Sequence, residues 1–332
     1  MAETRYRGRR ATAIENDRMR VTVLHEGGHI AEVLDKHSGV NPLWTPPWPS
    51  IEPSTYDLRQ HPEYGADSES KLLSGIMGHN LCMDIFGPPS EAEAAAGLTV
   101  HGEASVVPYE VAATDGELTE GATLPQAQLR IERRIRLDGH FADVTESVEN
   151  LSITDRPVAW TEHVTLGPPF LEKGETEFQA PITQSLVVEA GCGAFQKYTD
   201  VPVSGGFTTY LMNPAESTAQ FVAWSPRNRV ALAYVWRQAD FPWLGVWEEN
   251  YGRQGAPWNG RTLTRGMEFG ASPIAETRRQ MIDRGTLFGV PAFRWIPART
   301  RIAVRYGFAI GPAADMTEAA AVAAACGIRL GY

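Results

Sequence analysis

Basic residues are in the minority in this chain: 30 lysines and arginines stand against 40 aspartates and glutamates, for a formal charge of −10. A nucleic-acid backbone or an anionic membrane surface would be repelled by that balance. The arginines of RYRGRR near the start and of ETRR at 276–279 are too few and too scattered to make a phosphate-tracking patch. Cysteine is also scarce: Cys82, Cys192 and Cys326 lie far apart, form no C-x-x-C and are odd in number. That excludes a disulfide framework and a thiolate zinc site, and it fits a reducing cytosol. No apolar run approaches the ~18–20 residues that span a bilayer, and MAETRYRGRRATAIEND has no apolar core of a secretory signal. The expectation is a cytoplasmic protein, monomer or homodimer, with neither a nucleic-acid nor a membrane partner.

Helical patterns are equally sparse. Only SEAEAAAG at 90–97 and the tail DMTEAAAVAAACG, predicted helical over about 315–326, read as helices. Without β-α-β alternation a parallel doubly wound sheet is disfavoured. What fills the chain instead is short β-type runs, among them MRVTVL, SGVNPLW, AQLRIERRIRL, PVAWTEHVTLG, RVALAYVWRQ and PWLGVWEE, punctuated by clusters such as DKHSG, FGPPS, ATDGE and SPRN. Leu129, Ile131, Arg133 and Ile135 show the period-two pattern of a half-buried strand. With 43% hydrophobic residues, no internal repeat and no low-complexity linker, residues 1–332 read as one large all-β, antiparallel domain with few short helices.

One local motif invites a metal. Residues 25–29 read HEGGH, matching the H-E-x-x-H of zinc peptidases. The motif works only on a helix, where the i and i+4 imidazoles share a face. Two glycines mid-helix cost about 2 kcal/mol relative to alanine, whereas Gly-Gly after the alternating run MRVTVL suits a hairpin turn. No metal site is expected there.

A second set of residues is spread along the chain: His101 in TVHGEAS, His163 in AWTEHVTLG, and Glu268 in RGMEFGASP. A carboxylate in so apolar a stretch is uncommon, because burying its charge without a partner is costly. In this order, with V-H-G-E, T-E-H-V-T-L-G and M-E-F-G-A-S-P, the pieces resemble the aldose 1-epimerases of the galactose mutarotase-like superfamily. VLHEGGHIAEVLDKHSGVNPLW resembles that family's opening hairpin. The resemblance implies a large twisted antiparallel β-supersandwich with a small-molecule carbohydrate bound in a cleft and no metal or organic cofactor. It implies an isomerase that opens and recloses a sugar ring by acid–base catalysis. His163 would be the general acid, Glu268 the general base, and His101 a sugar-binding residue, with acid and base facing each other across a space of pyranose size. On this view His163 is protonated near neutrality, and the adjacent Glu162 points to the other face of its strand.

The chain departs from the family in recognition residues. No arginine lies between Arg59 and Arg130, upstream of the first histidine, where the family has one; Lys71, His79 and Asn80 are placed to replace it. The family's sugar-binding aspartate is replaced by glycines in SGGFTTYL, for which Asp200 or Asp240 could compensate. Asparagine before the second histidine has become Glu162. Nine tryptophans include Trp44, Trp48, Trp243, Trp247 and Trp258 in loop-like, proline-rich settings, where a ring can stack on a sugar's C–H face. Trp247 is the foremost of these, because Glu248 and Glu249 follow it with hydroxyl acceptors. The same features admit a non-catalytic carbohydrate-binding protein on this fold, or a metalloenzyme built on His25, His29 and His101.

Overall fold

Alternation decides the layers. In LRIERRIRLD, Leu129, Ile131, Arg133 and Ile135 are buried while Arg130 and Arg134 are exposed. The strand therefore covers a core with one face and meets water with the other. The computed structural model describes residues 4–331. Two antiparallel sheets pack through such faces. Among the described residues the first has eleven strands. Across it run Thr4–Tyr6, Arg9–Glu15, Met19–Leu24, Ile30–Asp35, His79–Asp84, Arg156–Leu166, Leu263–Gly270, Trp243–Asn250, Val203–Met212 and Ile182–Glu189, with Arg294–Ile296 also paired to Arg156–Leu166. The second has eight, in the order Glu177–Gln179, Thr218–Ser225, Val230–Arg237, Arg301–Pro312, Phe141–Asn150, Leu129–Asp138, Glu117–Leu124 and Glu110–Thr114. SGVNPLW is not a strand: Val40 and Leu43 make only isolated bridges, and Asn41 turns its side chain onto the backbone of Val33 and Leu43.

Between the sheets lies an apolar core that includes Trp160, Tyr234, Trp236 and Phe269, with Trp236 and Phe269 stacked at 4.3 Å. A charged cluster is sealed inside it. Arg133 binds Glu146 at 2.7 Å and Glu120 at 2.9 Å, and lies 3.6 Å from Glu162.

The C-terminal helix, Met316–Leu330, is capped by Asp315, whose carboxylate accepts the Glu318 N–H. Ala319, Ala323, Cys326 and Leu330 seal its inner stripe against Val222, Ala231, Ala233 and Val235 of the second sheet. It runs past Gly327, where the sequence pattern predicts its end, because that glycine is buried on the packed stripe. Glu91–Ala95 is helical as expected, with a capping box from Ser90 and Glu93. Two helices were not expected. Arg278–Arg284 opens with a capping box from Thr277 and Gln280, a signal hidden among the arginines of ETRR. Ser70–Gly75 is a turn and a half without a side-chain cap. Among the described residues no helix is long and apolar enough to cross a membrane.

Candidate active site

The site is a row of cross-strand partners. Asn80 pairs with His163, His163 with Glu268, Glu268 with Gly245 and Gly245 with Thr209. Residues directly opposite in adjacent antiparallel strands share a face, so this register alone sets His163 beside Glu268 on the side away from the core. His163 Nε2 lies 3.1 Å from Glu268 Oε1. The contact is off the line of a hydrogen bond, leaving Oε1 without a hydrogen-bond partner among the described residues. Expected to face each other across the width of a sugar ring, the two groups instead stand side by side. Gly266 permits this: a Cβ there would fall 2.3 Å from Glu268 Oε1.

Burial governs the protons. It pushes the Glu268 carboxyl up to about 8. Burial also drives His163 well below the ordinary imidazole value, and neighbouring His101 adds to the effect. His163 is therefore neutral near pH 7, contrary to the sequence expectation, and of the pair Glu268 is the group whose raised pKa favours holding a proton. A second contact orients the ring, with His163 Nδ1 2.9 Å from Thr165 Oγ1.

His101 closes the group. Its backbone sits at φ +68°, and the turn continues through Gly102 at +79°, where a Cβ would meet the Met83 carbonyl at 2.2 Å. The ring lies 5.0 Å from that of His163. Its Nδ1 is 2.6 Å from the Phe86 carbonyl and donates to it, while burial lowers its pKa to about 4. A neutral imidazole with Nδ1 so committed turns Nε2 into an acceptor.

Above these residues opens a cavity of about 220 Å³. That is smaller than the ~300 Å³ at which drug-sized pockets begin and suits a single sugar ring. Trp44, Leu73, Ile76, Val100 and Trp258 form one apolar wall; Phe86, Phe207 and Val188 form the other. Trp247 lines the cavity, 5.9 Å from Trp258. Glu69, Glu189 and Arg253 supply the remaining charged groups. A wider hollow of about 940 Å³ on the second sheet is lined by groups such as Glu110, Arg130 and Arg134, with no histidine.

The other residues singled out from sequence lie elsewhere. His79 pairs with Val164 and so faces the core, where Nε2 meets Glu162 at 2.9 Å. Asn80 is on the cleft face, but its amide donates to Ser105. Lys71 is on the helix Ser70–Gly75, whose cavity-lining neighbours are Glu69 and Leu73; at i and i+4 they share a face that the residue midway between them does not. Asp240 is held by Arg237 at 2.7 Å and lies 3.6 Å from Arg294, near a separate surface depression. Asp200 is exposed in a loop. Trp243 donates to Pro291 instead of reaching the cleft, and Trp48 donates to Leu73 from beneath its wall. Glu248 turns inward to Arg265, and Glu249 is spent on backbone N–H groups, so neither offers a hydroxyl acceptor.

HEGGH is a turn. His25 meets Thr12 Oγ1 at 2.8 Å, whereas buried His29 donates to the Ser105 carbonyl and accepts from Met77 N–H. The two imidazoles serve different partners. Among the described residues no group of three His, Cys, Asp or Glu side chains could hold a metal ion.

This two-sheet antiparallel architecture is the galactose mutarotase-like fold. It is similar to a candidate aldose 1-epimerase from Klebsiella pneumoniae, at a TM-score of 0.74 and 16% identity, covering 97% of this chain and 84% of that one. A galactose mutarotase-related enzyme from Lactobacillus acidophilus matches at TM-score 0.61 and 13% identity, over 92% of this chain and 98% of that one. A galactose mutarotase-like protein from Clostridium acetobutylicum matches at 0.62 and 12%, over 94% and 98%. No family model and no curated protein sequence matches the chain.

Proposed function

We propose that the chain is an aldose 1-epimerase-type isomerase that interconverts the anomers of a free sugar. The observation that carries this reading is the buried His163–Glu268 contact of 3.1 Å at the floor of a ring-sized cavity. The ring oxygen O5 and the anomeric hydroxyl O1 are bonded to the same carbon, so two adjacent side chains can address both. Ring opening needs a proton delivered to O5 and one removed from O1.

With His163 as donor and Glu268 as acceptor, the substrate enters a pair in which the proton has crossed to His163. As the C1–O5 bond breaks, the carboxylate takes the O1 proton and the imidazolium protonates O5. The products are an open-chain aldehyde, a neutral His163 and a protonated Glu268. That last state is the one burial favours. Rotation about C1–C2 followed by the reverse transfers closes the ring on the other face, with no net proton gained or lost. His101, neutral and with Nδ1 committed to Phe86, accepts a sugar hydroxyl at Nε2.

Saturation-transfer NMR across a panel of free hexoses and pentoses tests the reading. Anomer exchange accelerated above the buffer rate is expected for at least one sugar. Sugar binding without faster exchange would instead make the chain a carbohydrate-binding protein on this fold.

A further inference from the structure

Among the described residues one cation, Arg253, lines the cleft, and the surrounding chain is arranged to hold it there. Arg253 follows the strand Trp243–Asn250, in a loop stapled by the buried Glu249. One oxygen of that carboxylate accepts the N–H groups of Gly252 and Arg253 at 2.7 and 2.8 Å, and the other accepts from Gly205 at 3.1 Å. The Arg253 guanidinium lies 4.7 Å from the Trp258 ring centre and 5.4 Å from that of Trp247, two rings of the cavity wall. It crosses Gly205, where a Cβ would stand 2.8 Å from Nη2.

Its ionic contacts are long for hydrogen bonds: 3.5 Å to Glu249 and 3.6 Å to Glu69, which precedes the facing helix Ser70–Gly75. Cation–π contact therefore holds the guanidinium beside the two rings, while neither carboxylate takes its donors at a close hydrogen-bond distance. Glu69 and Arg253 both line the cavity, and their side chains retain 29% and 30% exposure.

We infer that Arg253 and Glu69 form a donor–acceptor clamp for two neighbouring hydroxyls of a neutral sugar. A vicinal diol both accepts and donates, so it satisfies a guanidinium and a carboxylate at once. A phosphate or carboxylate only accepts at neutral pH, and would have to sit against Glu69 and Glu249. This inference rests on reading the cavity as a sugar site, but not on turnover.

The test uses the full chain, D-glucose and D-galactose, and the monodeoxy analogues of each. Binding is followed by tryptophan fluorescence and exchange by saturation-transfer NMR. The wild type is expected to lose about 10- to 100-fold in affinity and kcat/KM when the clamped hydroxyl is missing, the range for a hydrogen bond to a charged group. In Arg253→Gln the parent sugar should fall to the level of that deoxy analogue, with the discrimination gone and the loss carried by KM. Near-UV circular dichroism establishes that the variant is folded.

Wild-type indifference to every deletion would overturn the clamp, as would full discrimination retained in Arg253→Gln. Glucose 6-phosphate or galacturonate binding more tightly than its parent sugar would overturn the neutral ligand. Should fluorescence show the discrimination while no sugar exchanges faster, the acid–base reading fails and the clamp stands.

Discussion

Glu162 and His163, neighbours in the chain, face opposite sides of the first sheet. Glu162 is sealed between the sheets, accepting from Tyr306 at 3.1 Å and lying 2.9 Å from His79 Nε2, while His163 opens into the cleft. Strand alternation enforces this split, so the glutamate that precedes the cleft histidine stays out of the cavity. The same strand carries two kinds of buried charge chemistry, one structural and one in the cavity.

On the proposed mechanism the cleft pair must carry one labile proton, wherever it rests at a given moment. Glu268 holds that proton up to about pH 8. Above this value the pair has a base and no acid. Exchange rates measured from pH 6 to 10 are expected to be flat at first, then to fall through about pH 8, approaching tenfold per further unit. A rate that climbs through that window would show that ionised Glu268 alone is required.

Substituting Glu268→Gln keeps the shape and removes the proton transfer. Exchange should drop by about 10²–10⁴-fold, with sugar affinity, read by fluorescence titration, within a few-fold of the wild type. Comparable exchange in the variant would contradict the role.

Gly266 has no chemistry of its own, yet a methyl group there would collide with Glu268 Oε1 at 2.3 Å. Gly266→Ala should cut kcat by roughly 10²-fold through misplacement of the carboxylate, with the far-UV spectrum unchanged. An unaffected kcat would mean that the carboxylate has another productive position.

The interior cluster makes stability depend on pH. Burial raises Glu120 to about 7 and Glu146 to about 8 despite Arg133 beside both. These groups hold protons in the folded state that the unfolded chain releases near pH 4.5, so stability falls as pH rises from there to about 8. Arg133→Met should cost about 3–5 kcal/mol at pH 8, because it leaves unpaired buried carboxylates, and less at pH 5, where they are protonated. Urea unfolding at the two pH values measures the difference. An equal loss at both would show that the carboxylates do not titrate with folding.

How much was legible follows from the physics of each residue. The alternation of Leu129–Ile135, the Gly-Gly turn of HEGGH and the terminal helix are local, and sequence reasoning reached them. His79 failed on parity: one step from Asn80, it falls on the other face of the strand. Arg253 gave no signal, because its loop YGRQGAPW resembles any surface loop until Trp247, Trp258 and Glu249 are seen to hold it.

Periodicity and turn chemistry belong to the sequence alone, since each depends on neighbours a few residues apart; they determined an antiparallel β protein with a terminal helix. Tertiary structure decided that His163 stands beside Glu268, that Arg253 reaches the cleft, and that burial raises the Glu268 pKa while lowering that of His163. The reason is that strand register and loss of solvent are set by partners distant in the chain, which no local pattern records.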